Sequence, residues 1–231
     1  MPRAETIEIE GSEPFRTRVG REKRARTRAR ILAAAFGLFD ERGMDRVTVD
    51  DVRDAAGLAR GSFYNYFSTY EDMLKDMAAT ITAQLNTEQS LFFDHLTDPA
   101  ERICRNIQYT ILRLSSDPSC SGVMVRVTPL IGPATPHMRQ HAEASMRQAQ
   151  VIAAIDVPSP AVAMDLGYGL VVMLIRRAMT DGLADGDIEA AGLMLLRAFG
   201  VSEDRAQAIA AAPLPTMPKE PLRHAIIQAG L

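Results

Sequence analysis

A short segment on either side of Gly57 constrains the fold most, because it places two helical apolar stripes around a tight turn. Thr48 precedes Asp51 by three residues, the spacing of an N-terminal helix cap with aspartate in place of the usual glutamate. The two alanines before Gly57 are small enough for neighbouring helices to cross closely, and glycine can adopt the backbone angles of a turn. The spacing predicts a short helix that ends at Gly57 and another over 59–67, as in a helix-turn-helix.

Apolar residues recur at helical spacing along the rest of the chain, and no β-type alternation of useful length interrupts them. The sequence therefore predicts an all-α fold. A first helix is expected over 22–42, and Pro and Gly residues separate the later segments. The later helices are predicted from 69 through Leu85 and over 98–115, 119–130, 135–154, 160–180, 186–199 and 202–211.

The 231 residues suffice for a small domain joined to a larger one. We expect residues 1–20 to be a disordered leader and 21–68 a helix-turn-helix DNA-binding domain. Residues 69–211 are expected to form a larger helical domain for ligand binding and dimerisation. The Pro-containing extension over 212–231 has no role that the sequence indicates.

The net charge of -3 conceals a strongly basic block near the N-terminus, opposed only by Glu22. Such a cluster beside a folded domain is typical of a nucleic-acid-binding arm, although a solvated helix face is an open alternative. The basic residues are Arg16, Arg18, Arg21, Lys23, Arg24, Arg26, Arg28 and Arg30.

Composition argues against several other classes of protein. The two cysteines form no CxxC pair, so a disulfide scaffold or zinc finger is not indicated. No apolar stretch approaches the roughly 20 residues that cross a bilayer, and no targeting signal is evident, so we expect a cytoplasmic protein without membrane contact. His137 and His141 share a helical face without an HExxH pattern, and we predict neither a metal nor a cofactor.

The predicted helix after the turn carries side chains suited to DNA. Arg60 can bond guanine bidentately, Asn65 matches adenine, and Ser62 also lies near the base edges. Gly61 allows close approach of the backbone, while the hydroxyls of Tyr64 and Tyr66 suit phosphate oxygens. A plain helical hairpin explains the glycines and the apolar stripe but not these outward polar and aromatic groups.

The same residues resemble a known family. The run Thr48-Val49-x-x-Val52, continued by 56–67 (AGLARGSFYNYF) and Glu71-Asp72-Met73-Leu74, is similar to the N-terminal domain of TetR-type repressors. The resemblance covers about residues 24–80. It implies a phosphate contact for Thr48, base contacts at 60–62 and 65, and backbone contacts for both tyrosines. The DNA-contacting set is expected to include Arg28, Val49 and Tyr70 as well.

Two features depart from the family pattern. Many members place lysine after the aromatic run, whereas this chain has Ser68 and Tyr70, and the basic arm is a source of compensating charge. Asp50 brings a carboxylate near the expected phosphates. We interpret Asp50 as serving the helix N-terminus, with acceptance from a cytosine amine as the alternative.

The larger domain is rich in adaptable apolar side chains, which suits a small, largely apolar effector. For any single residue, a plain core position is the stronger alternative. The candidate pocket residues are Met77, Ile81, Phe92, Tyr109, Arg113, Met124, His141 and Tyr168.

Two late helices carry more apolar surface than one neighbour covers, and small residues let such helices approach closely. By resemblance to the family, they pair with their copies in a four-helix bundle about a two-fold axis. The expected interface residues are Ala163, Leu166, Gly167, Leu170, Leu174, Ala190, Leu193, Met194 and Leu196.

Together these features predict a homodimeric repressor that binds a near-palindromic double-stranded operator and is released by its effector. A ligand-independent DNA-binding protein and an activator remain alternatives. A helical enzyme is disfavoured because GxSxG, HExxH, P-loop and GxGxxG patterns are missing from the sequence.

Overall fold

The computed structural model describes the backbone of residues 15–131 and 136–230, and the side chains of 18–128, 143–144 and 146–228. Over these residues every regular element is helical, as the sequence predicts. Short 3-10 helices lie at Met44–Arg46 and Phe63–Asn65. The α-helices are α1 (Phe15–Arg42), α2 (Val49–Ala55), α3 (Tyr70–Phe93), α4 (Pro99–Ser115), α5 (Pro118–Ile131), α6 (Pro136–Val151), α7 (Pro160–Thr180), α8 (Asp187–Ala198), α9 (Glu203–Ala211) and α10 (Leu222–Gly230).

Local capping explains where the shorter helices begin. The Thr48 hydroxyl accepts the Asp51 amide at 3.2 Å, while the Asp51 carboxylate accepts the Thr48 amide at 2.9 Å. The predicted capping box is therefore confirmed at the start of α2. Thr69 caps α3 in the same way, accepting the Asp72 amide at 3.0 Å. Each such cap stabilises a helix by about 1 kcal/mol.

The N-terminal unit, which we define as α1, α2 and the segment up to Phe67, encloses its own apolar side chains. Phe36 from α1, Val52 from α2 and Phe63 beyond the turn are fully or almost fully buried. Helix α3 starts immediately after this unit and continues into the larger helical body. The two parts are therefore joined by a continuous helix rather than by a linker.

The larger body comprises α3–α9, and we call it the effector domain after the role that the sequence predicts for it. Helix α4 lies at its centre and contacts α3, α5, α7, α8 and α9. Gly192 allows α8 to approach α4 closely, because a Cβ there would lie 2.7 Å from the Gln108 side-chain nitrogen and 2.8 Å from the Cys104 sulfur. None of the described helices is long and apolar enough to cross a bilayer.

The structure differs from the sequence prediction at both ends of the described chain. Helix α1 begins at Phe15 rather than at residue 22, so residues 15–20 of the expected leader are helical, and residues 1–14 lie outside the described part. Arg, Lys and Glu are good helix formers, and Arg18 and Glu22 form an i,i+4 ion pair at 3.8 Å. The extension over 212–231 contains α10, which sequence reasoning missed.

Candidate nucleic-acid interface

The segment expected to read DNA is more compact than predicted. In place of a helix over 59–67, the structure has a turn followed by the 3-10 helix Phe63–Asn65. Gly61 has φ +85°, which takes the backbone out of the right-handed helical region. Helical hydrogen bonding therefore starts only at Ser62 and ends with the bond from the Phe67 amide to the Phe63 carbonyl. We call residues 60–66 the recognition element.

Aromatic side chains anchor the recognition element from behind. Phe63 and Phe67 are buried with ring centroids 5.7 Å apart, and the Tyr64 ring meets Phe63 edge-on. Because these anchors face inward, Arg60, Tyr64 and Asn65 are exposed. Their contact with DNA stays a prediction, but all three are exposed within the recognition element.

The remaining members of the predicted recognition set differ in exposure. Gly61 is exposed with open space around its Cα, which suits close approach by another backbone. Ser62 and Tyr66 are half-buried. Both therefore offer DNA a smaller part of their surface than Tyr64 does.

Helix α1 supports the recognition element through Arg24. One guanidinium nitrogen donates to the Asn65 carbonyl at 2.9 Å, and the guanidinium lies 5.2 Å from the Tyr66 ring centroid. The sequence placed Arg24 only in a basic block and did not identify this contact. The bond satisfies a carbonyl at the end of the 3-10 helix, where no helical partner follows.

At the start of α2, Thr48 is exposed and Val49 is half-buried. The Thr48 hydroxyl donates to Asp51 at 2.6 Å, and bonds from Thr48 hold the pKa of that carboxyl below its usual value. Asp50 lies in the first helical turn and pairs with Arg53. That position favours a negative charge at the helix N-terminus, although Thr48 and Asp51 form the cap itself.

Two residues of the predicted DNA-contacting set contact other parts of the protein. Arg28 is ion-paired with Asp76 of α3, so it ties α1 to α3. The prediction that Tyr70 contacts DNA needs the larger correction, since its hydroxyl is buried without a hydrogen-bond partner. Burial raises the pKa of Tyr70 to about 12. This first residue of α3 packs against the core, which removes its hydroxyl from the DNA-facing surface.

Comparison with known proteins bears on this same segment. Residues 31–77 match the family model described as bacterial regulatory proteins, tetR family. The N-terminal unit is therefore similar to the DNA-binding part of TetR-type regulators over these residues.

The curated relatives that match this chain are transcriptional regulators. The repressor KstR2 of Mycobacterium tuberculosis is 32% identical over 76 residues, covering 33% of this chain and 38% of that protein. KstR2 of Rhodococcus jostii is 42% identical over 50 residues, covering 22% of this chain and 24% of its own length. The matches therefore span well under half of either relative.

Solved structures extend the similarity of fold beyond the N-terminal unit to most of the chain. RolR in complex with resorcinol superposes with a TM-score of 0.67 at 24% identity, covering 86% of this chain and all of that one. FadR from Bacillus halodurans gives 0.56 at 16% identity, with 73% and 94% coverage. At these identities the likeness concerns the fold alone.

The predicted pocket residues of the effector domain lie mainly in its core. Met77, Ile81, Tyr109 and Arg113 are fully or almost fully buried, while Phe92, Met124 and Tyr168 are half-buried. Tyr168 packs against a different apolar cluster from the others. The side chain of His141 lies outside the described residues, as does that of His137, so the prediction of no metal there stays a prediction.

Glu88 is a functional candidate that sequence reasoning missed. Tyr109 donates to this carboxylate at 2.7 Å, and Arg113 bonds both of its oxygens, at 2.9 and 3.1 Å. Burial alone raises the pKa of Glu88, but bonds from Arg113, Tyr109 and Gln84 outweigh it and lower the pKa below its usual value. We call Glu88, Tyr109 and Arg113 the buried polar cluster.

Exposed apolar side chains mark the outer face of α7 and α8. The large ones, each 49–66% exposed, are Val162, Leu166, Met173 and Met194. Among the predicted interface residues, Ala190 is also exposed, and Leu170, Leu174 and Leu193 are half-buried.

Three interface predictions need correction. Ala163, Gly167 and Leu196 are buried inside the protomer, so they have little or no surface left for a partner. Residues spaced by four from Ala163 share the inward face of α7, whereas the series from Val162 through Leu166 to Met173 lies outside. The helical period was correct, but the sequence did not show which face is turned inward.

Proposed function

We propose that this chain is a TetR-type transcriptional repressor that binds a near-palindromic operator as a homodimer and releases it when a small, largely apolar effector binds. The carrying observation is the recognition element, which presents Arg60, Tyr64 and Asn65 outward on two buried phenylalanines. A surface held rigid from behind loses little freedom on binding, which favours affinity.

The chemistry of that surface fits double-stranded DNA. A guanidinium and a carboxamide match the hydrogen-bonding edges of guanine and adenine in the major groove, which is about 12 Å wide. The Tyr64 hydroxyl suits a phosphate, and the exposed basic side chains of α1 supply further positive charge. These groups support sequence-specific binding strengthened by electrostatic attraction.

Dimerisation is supported by the outer face of α7 and α8. Both helices pack on α4, and exposed apolar side chains on each are the kind of surface that an isologous two-fold interface needs. Gly169 lies on the same face with open space around its Cα, which permits close helix approach. Two recognition elements related in this way must lie roughly 34–36 Å apart to enter successive major grooves.

The effector response is supported by the position of the buried polar cluster. The rings of Phe92 and Phe93 pack against Tyr109, at centroid distances of 5.6 and 5.8 Å. An apolar surround with a few convergent polar groups is typical of small-molecule sites. RolR binds the aromatic diol resorcinol, which makes aromatic compounds a reasonable first class to screen.

Full burial of Met77, Ile81 and Tyr109 favours the second candidate, a DNA-binding protein that does not respond to a ligand. A melting-temperature screen against lipids, phenols and drug-like compounds separates the two. A ligand that prefers the native state raises the melting temperature, and a true effector must also weaken DNA binding. Absence of any such compound from a broad screen counts for the second candidate.

Selection from a random duplex pool tests the DNA-binding proposal. The full chain should enrich a near-palindrome, and affinity should fall steeply with added salt because bound counterions are released. Arg60→Ala should weaken binding and relax one base position, at a cost of about 1–3 kcal/mol, whereas Arg205→Gln on α9, outside the N-terminal unit, should leave binding unchanged. Failure to enrich any motif, or binding that is insensitive to salt, contradicts the proposal.

A further inference from the structure

The C-terminal helix α10 lies between the N-terminal unit and the effector domain, where it contacts α1, α3 and α5. Its Leu222 and Ile226 are buried in the apolar core shared by these helices. We infer that α10 is a strap that sets the position of the N-terminal unit relative to the effector domain, with Arg223 as its positioning residue. The consequence for DNA affinity rests on the proposed function, but the positioning itself does not.

The Arg223 guanidinium links the N-terminal unit to the effector domain. Arg223 lies 2.6 Å from a carboxylate oxygen of Asp40, near the end of α1, and 3.2 Å from one of Asp117, just before α5. The Arg223 amide also donates to Asp117 at 3.0 Å. Ser119 completes the junction by donating to Asp40 at 2.8 Å.

Burial makes this junction stronger than an ordinary surface ion pair. The Asp117 side chain is fully buried, and the Arg223 side chain is only 18% exposed. A buried carboxylate that loses its cationic partner is left with an uncompensated charge, which is strongly unfavourable. This cost favours the arrangement of α10, α1 and α5 in which Arg223 stays paired with both carboxylates.

The segment leading into α10 is attached to the buried polar cluster. Arg113, which binds Glu88 through two nitrogens, donates from its third to the Glu220 carbonyl at 2.9 Å. Further back, Gln108 donates to the Ala210 carbonyl at 3.0 Å. A displacement of Arg113 would therefore move the residues immediately before Arg223.

These contacts form a continuous route from Glu88 to the end of α1. Coupling between distant sites requires an element with two arrangements that both sites bias. Helix α10 is placed to be that element, since Arg113 holds the segment just before it and Asp40 pairs with Arg223 in its first turn. The arrangement in which Arg223 is paired defines the orientation of the N-terminal unit. Releasing Arg223 should therefore widen the range of orientations and weaken DNA binding.

Distance measurement within one protomer tests the strap directly. Spin labels at Asp54→Cys in α2 and His95→Cys beyond α3 report the position of the N-terminal unit, because native Cys104 and Cys120 are buried and escape labelling. Labelled protein diluted into unlabelled protein reports only intramolecular distances. Arg223→Gln should broaden or shift the distribution, whereas Arg205→Gln, which breaks the 2.6 Å pair with Asp98, should not.

DNA binding supplies the second readout. Arg223→Gln should weaken operator affinity by roughly 5-fold or more without changing its salt dependence, because this side chain positions the reader and touches no phosphate. Asp40→Asn should have the same effect, and the double variant should be no worse than either single one. Additive losses, or a changed salt dependence, overturn the positioning role.

The outcomes separate the two proposals. An unchanged distance distribution in folded Arg223→Gln protein overturns the strap whatever the protein does with DNA. Wild-type protein that ignores DNA contradicts the proposed function, while the distances still decide the strap. If Arg223→Gln does not fold, Asp40→Asn decides instead, since its carboxylate is 42% exposed and its loss leaves Arg223 paired with Asp117.

Discussion

Single residues in the buried polar cluster carry charge where water is excluded. Glu88 stays ionised because Tyr109, Arg113 and Gln84 all donate to it. The same bonds define how Arg113 is oriented and hence where the segment before α10 lies. Charge at this site is therefore coupled to structure, which distinguishes it from the exposed ion pairs of the surface.

Glu88→Ala should lower the free energy of unfolding by about 3–5 kcal/mol, because Arg113 would be left buried without a counter-charge. Denaturant titration followed by circular dichroism measures the change. Exposed Glu41→Ala on α1 is the control and should stay within about 0.5 kcal/mol of wild type. A loss as small as that of the control would show that Arg113 finds another partner or reaches water.

The pH dependence of stability should report the same carboxylate. Its folded pKa lies below the ordinary 4.5, so its contribution is present above that value and is lost as pH falls through the folded pKa. Wild-type protein should therefore lose stability below pH 4.5 more steeply than Glu88→Gln. Parallel curves for the two proteins would remove Glu88 from this role.

At the level of the element, backbone geometry at Gly61 determines the shape of the recognition element. Gly37, within α1, offers a matched comparison because open space surrounds both Cα atoms. The two positions differ in backbone conformation, since Gly61 has φ +85° while Gly37 lies in a regular helix. Any difference between alanine variants at these sites therefore reflects conformation rather than crowding.

Gly61→Ala should destabilise the protein by about 1 kcal/mol, because alanine disfavours positive φ. Gly37→Ala should stabilise it by about 0.5–1 kcal/mol, since alanine is the better helix former. Thermal melting of both variants checks the two signs. A stabilising Gly61→Ala would indicate that the segment prefers the regular helix that the sequence predicts.

The exposed apolar side chains of α7 and α8 lead to a prediction about the oligomeric state. Met194→Lys should shift the protein toward monomers, because a charge at an apolar interface is costly to desolvate. Analytical ultracentrifugation measures the shift, and the control is Leu91→Lys, at an exposed position of α3. A dimer unaffected by Met194→Lys would place the interface elsewhere on the molecule.

On the scale of the whole molecule, the features predicted correctly from the sequence are those that depend on the spacing of nearby residues. The all-α class and the Thr48–Asp51 cap depend on residues three or four apart, and both match the structure. The shape of the recognition element was not predicted, because the pattern alone could not show which conformation Gly61 adopts.

The contacts that were missed join distant parts of the chain. From the sequence, Glu88 is expected to be an exposed charged residue on an amphipathic helix. Its burial depends on Arg113, 25 positions away. Arg223 meets Asp117 across 106 positions. No local pattern records such pairings, so the role of the C-terminal segment emerged only from the folded chain.

Helix α3 gives this molecule a mechanical property. Its 24 residues contain neither glycine nor proline and form a rod about 36 Å long, with Glu88 near one end and the N-terminal unit at the other. A rod without a weak point does not absorb motion by bending. A tilt of about 3° would move its far end by about 2 Å, enough to misplace a side chain aimed at a base edge.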